Sequence, residues 1–411
     1  MSDDDNSTIE APTRRDYVKY GGAVVGGGLL AGCAGQPDSG STPSENESEV
    51  EQGGDDSTEG ETSYEVCMEP NGCHTLAEIP ETYAVYDPAV IGMMIALGQE
   101  DGVIAEQGSG YPTEYLEQLP EVSFDGRNLT ALIEDGESPD KELFYELDAD
   151  IHLIDHYTAQ GYFEFSEEDI AELEDNVGPF HGSWMRRSDW TDDHPFYDLY
   201  EGLNTFAEVF QAEERGQAFE EFYDEMVAEV TSQLPPVEDR PSMGYLTTSF
   251  DDKEVIYLRH DGDGYQYKPF QALETYEHDA FEGLYGEGEA LSETTYRGDF
   301  EVLLEADPDV VIHHNAMASF RDPDTDWFED TLEPLKNDPV AGEVSAYQND
   351  RAYPWHETYA AGPIVMMFET ELIAKSIYPD VFGEPTGLEE PPEDEQLFDR
   401  QRLADIINGD L

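Results

Sequence analysis

Two stretches of the chain, KELFYELDADIHLID at 141–155 and FEVLLEADPDVVIHH at 300–314, carry one pattern. Each has a glutamate (Glu142, Glu301), an aspartate eight residues later (Asp150, Asp309), and then an apolar run that ends in polar residues. The order reads as helix, turn and buried strand. A chain that uses this unit twice, far apart, is constrained to two similar α/β lobes.

The rest of the body fits that reading. TYAVYD (82–87) predicts a strand, PAVIGMMIALGQ (88–99) a helix ending near Gly98, and DGVIAEQ the next strand. A long amphipathic stretch at 204–234 places Phe206, Val209, Phe210, Phe219, Phe222, Tyr223, Met226 and Val230 at helical spacing. PPVEDRP ends it, and SMGYLTT and EVIYLRH open a second α/β series. The expected layout is an N-terminal lobe (64–203), one connecting helix (204–234), a C-terminal lobe (235–384) and an acidic tail or helix (385–411). A stiff helical connector permits only small hinge motion.

Ahead of the body, Arg14 and Arg15 precede a charge-free run from Tyr20 to Gly32 and then Cys33. The run is too short to span a bilayer. A charged start, an apolar run and a small-residue exit read as an export signal (1–33) of the twin-arginine type. Leu30-Ala31-Gly32-Cys33 resembles a lipobox, with Cys33 as the lipidated residue. Residues 34–63 hold almost no large apolar side chains and read as a disordered acidic tether. The expected location is the outer face of the cell membrane, held by lipid alone.

Composition narrows the setting. The formal net charge is -77, spread along the body. So much like charge destabilises a compact state unless molar salt screens it over about 3 Å. We therefore read an extreme halophile of haloarchaeal type, and no nucleic-acid partner. With Cys33 assigned to lipid, Cys67 and Cys73 flank a Pro-Asn-Gly turn and read as a disulfide; a Cys67/Cys73/His74 metal knuckle is the alternative. No G-x-S-x-G, H-E-x-x-H or phosphate-cradling loop is present, and no enzyme is expected.

The body is similar to the iron-siderophore and vitamin B12 class of ABC-transporter substrate-binding proteins. The likeness lies in Ala96-Leu97-Gly98, in the repeated E-x-x-x-x-L-x-x-D-aliphatic motif, in the lobe-linking helix and in IYPDVFG (377–383). It implies the class III periplasmic-binding architecture, two Rossmann-like lobes with a ligand cleft between them. It also implies docking of Glu142 and Glu301 on arginines of a permease, and through the permease a link to its ATPase. A monomer and no permanently bound cofactor are expected, the transported ligand being an iron chelate, heme or a corrinoid.

Strand-end loops supply the candidate contacts: Tyr111, His156, Tyr157, Trp184, Arg186, Arg187, Trp355 and His356. The stretch SWMRRSDW sets Arg186 and Arg187 beside Trp184 and Trp190, which suits a planar, partly anionic ligand. The rival reading is bare Zn²⁺ or Mn²⁺ on His152, His156, His181, His313, His314 and His356. His313 and His314 extend a strand and should face opposite ways. A purely structural surface protein is a third reading, which the repeated motif does not favour.

Overall fold

The computed structural model describes residues 63–411 except 109, 135, 186–195, 250–251, 263, 288, 293–294, 315–326, 356–361 and 388. Arg14, Arg15, Cys33 and the tether therefore lie outside the described residues. Among those described, no helix is long and apolar enough to cross a membrane.

The body opens with an antiparallel hairpin, β1 (Tyr64–Met68) and β2 (Gly72–Leu76), in which Cys67 faces Cys73 and the two are disulfide-bonded. β3 (Tyr83–Val85) then leads into α1 (Pro88–Leu97). Asp87 caps α1 by accepting the Ala89 N–H at 2.9 Å, proline occupies the first turn, and Gly98 closes it at φ 66°. These signals fix both ends of the helix where the sequence placed them. Every residue of α1 is buried.

β4 (Val103–Glu106), β5 (Thr130–Ala131), α2 (Lys141–Leu147) and β6 (Ile151–Leu153) complete a four-stranded parallel sheet in the order β5-β4-β3-β6. α3 (His156–Gly161) and α4 (Glu167–Asn176) follow β6.

The expected single connecting helix is instead two. α5 (Leu199–Phe210) and α6 (Glu213–Gln233) are separated by Gln211, which is left-handed at φ 52°, and Ala212. They form an antiparallel helical hairpin: Tyr200 packs on Tyr223 at 5.2 Å, and Asn204 donates to Glu220 at 2.8 Å. Gly216 permits the closest approach, since a Cβ there would lie 2.8 Å from Asn204 Oδ1. α5 also begins earlier than expected, at an Asp198/Glu201 capping box. Only α6, about 31 Å long at 1.5 Å per residue, leads to the second lobe.

That lobe holds β7 (Met243–Ser249), β8 (Glu254–Leu258), α7 (Lys268–Ala272), β9 (Glu289–Ser292), β10 (Thr295–Asp299), α8 (Phe300–Ala306), β11 (Val310–His313), α9 (Trp327–Asn337), α10 (Ser345–Gln348) and β12 (Ala352–Pro354). Its six-stranded mixed sheet runs β12-β11-β7-β8-β10-β9, parallel across β12, β11 and β7 and antiparallel beyond.

α11 (Pro363–Ile377) is buried along its whole length and packs on both α7 and α1. At its start Gly362 meets Gly92 of α1 so closely that a Cβ on Gly362 would come within 2.9 Å of the Gly92 Cα. The lobes are thus in direct backbone contact there.

After α12 (Pro379–Phe382), the final segment takes the helical form of the expected acidic tail or helix. α13 (Arg400–Asn408) buries Leu403, Ala404, Ile406 and Ile407 and packs on α6 and α1. Arg400 is buried between Phe368 and Phe398 and pairs with Glu371 at 2.7 Å. The apolar stripe of α13 is what the overall acidity of 385–411 conceals.

Candidate ligand cleft

A cavity of about 250 Å³ opens where the carboxyl ends of β3 and β6 meet the second lobe. Its first wall is built by strand-to-helix turns. Tyr86 and Asp87 follow β3; Ile154, Asp155 and Thr158 follow β6. Gly182, Ser183 and Trp184 close it from one side, and Tyr162, Gln107 and Phe206 add to the lining. From the second lobe comes Tyr265, fully buried, whose hydroxyl donates to the Asp87 carboxylate at 3.2 Å. The Tyr265 N–H also donates to the Met185 carbonyl at 3.2 Å, so two hydrogen bonds tie the lobes at the cleft.

Both acids have structural work. Asp87 caps α1, and Asp155 caps α3 by accepting the Thr158 N–H at 2.9 Å and its hydroxyl at 2.6 Å. Aromatic rings make up much of the surface: Tyr86 and Tyr162 lie 5.8 Å apart, and Tyr157 stands edge-on behind Trp184 at 6.3 Å.

The hairpin reaches this wall. Asn71, at the disulfide-closed turn and buried, donates to the Ile154 carbonyl at 3.0 Å and accepts the His156 N–H at 3.1 Å. One side-chain amide thereby holds the turn that presents Asp155.

The expected contacts divide. Trp184 lines the cavity. Tyr157 sits next to Trp184 without lining it. His156 turns away to pair with Glu174 of α4 at 3.2 Å. Tyr111 packs edge-on against Phe124 at 6.0 Å and fills the space over Gly92. Trp355, placed at the cleft by the sequence reading, lies in the second lobe's core. It is fully buried against Tyr245 and Phe270 at 5.4 and 4.8 Å, and its N–H donates to the His313 carbonyl. Arg186, Arg187 and His356 lie outside the described residues.

The sequence reading did not select Asp87, Asp155, Tyr162 or Tyr265. For the two acids the signal was present, as an aspartate between a strand and a helix. Tyr265 reaches the cavity through tertiary structure alone.

Among the described residues the histidines assemble no set of metal ligands. His152 packs between Phe144 and Phe180, and burial lowers its imidazole to about 3. Burial and then the neighbouring His74 lower His181 to about 4. Burial takes His313, against Tyr347, to about 3. His314 meets Tyr245 from the opposite face of β11. Groups held neutral this strongly suit core packing. Among the described residues, the one cluster of three ligand-type side chains is Glu65, Cys67 and Cys73, and its two sulfurs are bonded to each other.

Glu142 and Glu301 occupy matching places, exposed in the first turns of α2 and α8. The repeated aspartates also match. Asp150 accepts the Thr82 N–H at 2.9 Å, and Asp309 the Ser242 N–H at 2.9 Å. Each pins the start of a neighbouring strand.

No family model matches the sequence, and no curated protein does. Solved structures do match. A periplasmic binding protein from Veillonella parvula superposes with a TM-score of 0.54 at 14% identity, over 77% of this chain and 97% of its own. The petrobactin-binding protein of Bacillus subtilis gives 0.53 at 15%, over 80% and 99%. The periplasmic heme-binding protein of Vibrio cholerae gives 0.51 at 14%, over 73% and 100%. The chain has the two-lobed α/β fold of periplasmic binding proteins.

Proposed function

We propose that the chain is the substrate-binding component of an ABC importer and captures a ferric-siderophore-like chelate, heme or a corrinoid in the cleft between its lobes. The observation that carries this reading is the aromatic cavity at the lobe junction, set at the carboxyl ends of parallel strands where open α/β sheets hold ligands. The fold is shared with proteins that bind petrobactin and heme. Binding is non-covalent: ring faces cover the ligand's apolar surface, and tyrosine, serine and amide groups orient it.

The twin-arginine stretch and Cys33 support export and a lipid anchor on the outer membrane face. Glu142 and Glu301 support docking on a permease coupled to its ATPase. Exposed ion pairs contribute little each, so their role there is register.

Calorimetric titration of the full-length protein in molar KCl tests the reading, with ferric hydroxamates, ferric catecholates, heme, cobalamin and bare Zn²⁺ or Mn²⁺. The expected result is 1:1 binding of one chelate or tetrapyrrole class, weakened at least about tenfold by Trp184→Ala. Binding of bare metal only, or of nothing by folded protein, would overturn it.

A further inference from the structure

The opening hairpin touches the cavity wall through one covalently closed turn. β1 and β2 form a two-stranded sheet of their own, and such a hairpin is only marginally stable by itself. Val66, Met68 and Leu76 are buried and seat its strands on the core. The turn between the strands is held by other means. Asn71 donates to the Ile154 carbonyl and accepts the His156 N–H, Glu69 donates its N–H to the Tyr197 hydroxyl at 3.0 Å, and the Cys67–Cys73 disulfide closes the chain around all of them. The segment gripped by Asn71 includes Ile154 and Asp155 and runs into Thr158, and these three line the cavity.

Strand alternation sets the two ends of this clamp on opposite sides. Cys67 and Cys73 are exposed, whereas Asn71 is buried against the wall. A thiol in solution can therefore reach the bond, and the consequence of breaking it falls on the cleft.

We propose that, with this cleft read as the ligand site, the redox state of Cys67–Cys73 sets how firmly the wall at 154–158 is held, so that reduction by a dithiol loosens the wall and weakens ligand binding.

The exchange is balanced. One thiolate of the dithiol attacks a cysteine sulfur and forms a mixed disulfide; the other cysteine leaves as a thiolate and takes up a proton. The second thiolate of the dithiol then attacks the mixed disulfide, closes the reductant into a cyclic disulfide and releases the second cysteine, which is protonated in turn. Two electrons and two protons pass to the protein. Residues 68–72 lose their covalent closure, and the Asn71 contacts must then oppose the greater conformational freedom of an open turn.

The test compares the full-length protein in molar KCl in three forms: oxidised, reduced with dithiothreitol and alkylated before the reagents are removed, and Cys67→Ser/Cys73→Ser. Cys33 is alkylated in the oxidised control as well. Hydrogen exchange at 154–158 is expected to speed up at least about fivefold in both opened forms, with 264–267 in the second lobe unchanged. Calorimetric affinity for whichever of ferric trishydroxamate, ferric tris-catecholate, heme or cobalamin the oxidised protein binds should fall about three- to tenfold. Asn71→Ala should show a similar loss, and opening the disulfide in that variant should add little, because the two act through one contact. If the double serine variant fails to fold, the alkylated native protein still decides.

Unchanged exchange at 154–158 would overturn the inference, as would faster exchange there with unchanged affinity. Losses from Asn71→Ala and from reduction that simply add would overturn it too, since the disulfide would then act on stability alone. If the oxidised protein binds none of the four ligands, the ligand-site reading falls, and the exchange comparison by itself upholds or overturns the coupling between the disulfide and the wall.

Discussion

The unit α2–β6 in the first lobe and the unit α8–β11 in the second are built alike and used differently. Asp140 and Asp299 cap their helices, Asp148 and Asp307 close them in left-handed geometry, and Asp150 and Asp309 pin the start of a neighbouring strand. Beyond the strands they part. Position 155 is an aspartate that caps α3 and lines the cavity; its counterpart, 314, is a histidine against Tyr245. The duplication supplies scaffold, and the described cavity wall is built in part from the turn and helix after β6. The first lobe alone receives the hairpin clamp from Asn71. The second contributes Tyr265 to the described cavity.

The largest effect expected from this asymmetry is in acid. The folded protein keeps His181 neutral down to about pH 4, whereas the unfolded chain protonates near 6.5. The folded pKa of this base is depressed, so its protonation opposes folding. Stability is complete above about pH 7 and is lost as pH falls toward 4, by up to about 3 kcal/mol. Melting curves from pH 7.5 to 4.5 should show a shallower decline in His181→Leu than in the native protein, since carboxylate titration is common to both.

Asp155→Ala should cost about 2 kcal/mol through the lost cap and also weaken ligand binding. His314→Ala, at the matching position, should leave ligand affinity unchanged. Chemical denaturation and calorimetry on the pair would break the comparison if both variants lost affinity equally.

Asn71→Ala removes the partner of the Ile154 carbonyl and the His156 N–H, and should cost about 1–2 kcal/mol. Hydrogen exchange should speed up at 154–158 while the second lobe is unaffected. Glu142→Ala and Glu301→Ala should each change stability by less than about 0.5 kcal/mol and leave ligand affinity intact. On the proposed docking role, uptake by vesicles carrying a permease and its ATPase should fall.

How much of this was legible depended on whether a signal was local. Asp87-Pro88 and Gly98 bracket α1, and both ends follow from capping chemistry alone. The repeated Glu…Asp unit foretold two lobes because each copy closes its own helix with an aspartate, Asp148 or Asp307, and the aspartate at its end ties it to a strand of the same lobe. The α5–α6 reversal was hidden. Both helices are amphipathic, and the turn uses Gln211 in a conformation that side-chain-bearing residues adopt rarely; the Asp198/Glu201 box was the one available clue.

At the site, Trp184 stood out as an aromatic in an arginine-bearing loop. Asp87 and Asp155 looked like ordinary helix caps, which they also are. Trp355 was misplaced at the cleft because a tryptophan at a strand end can turn either way; Tyr245 and Phe270 hold it in the core.

The most direct test of a ligand held between the lobes is hydrogen exchange of the full-length protein in molar KCl, with and without a saturating ferric trishydroxamate. Protection is expected on both sides of the cleft: at 86–90, 153–158 and 182–184 in the first lobe and at 264–267 in the second. Protection confined to one lobe, or lying away from these segments, would contradict a ligand held between them.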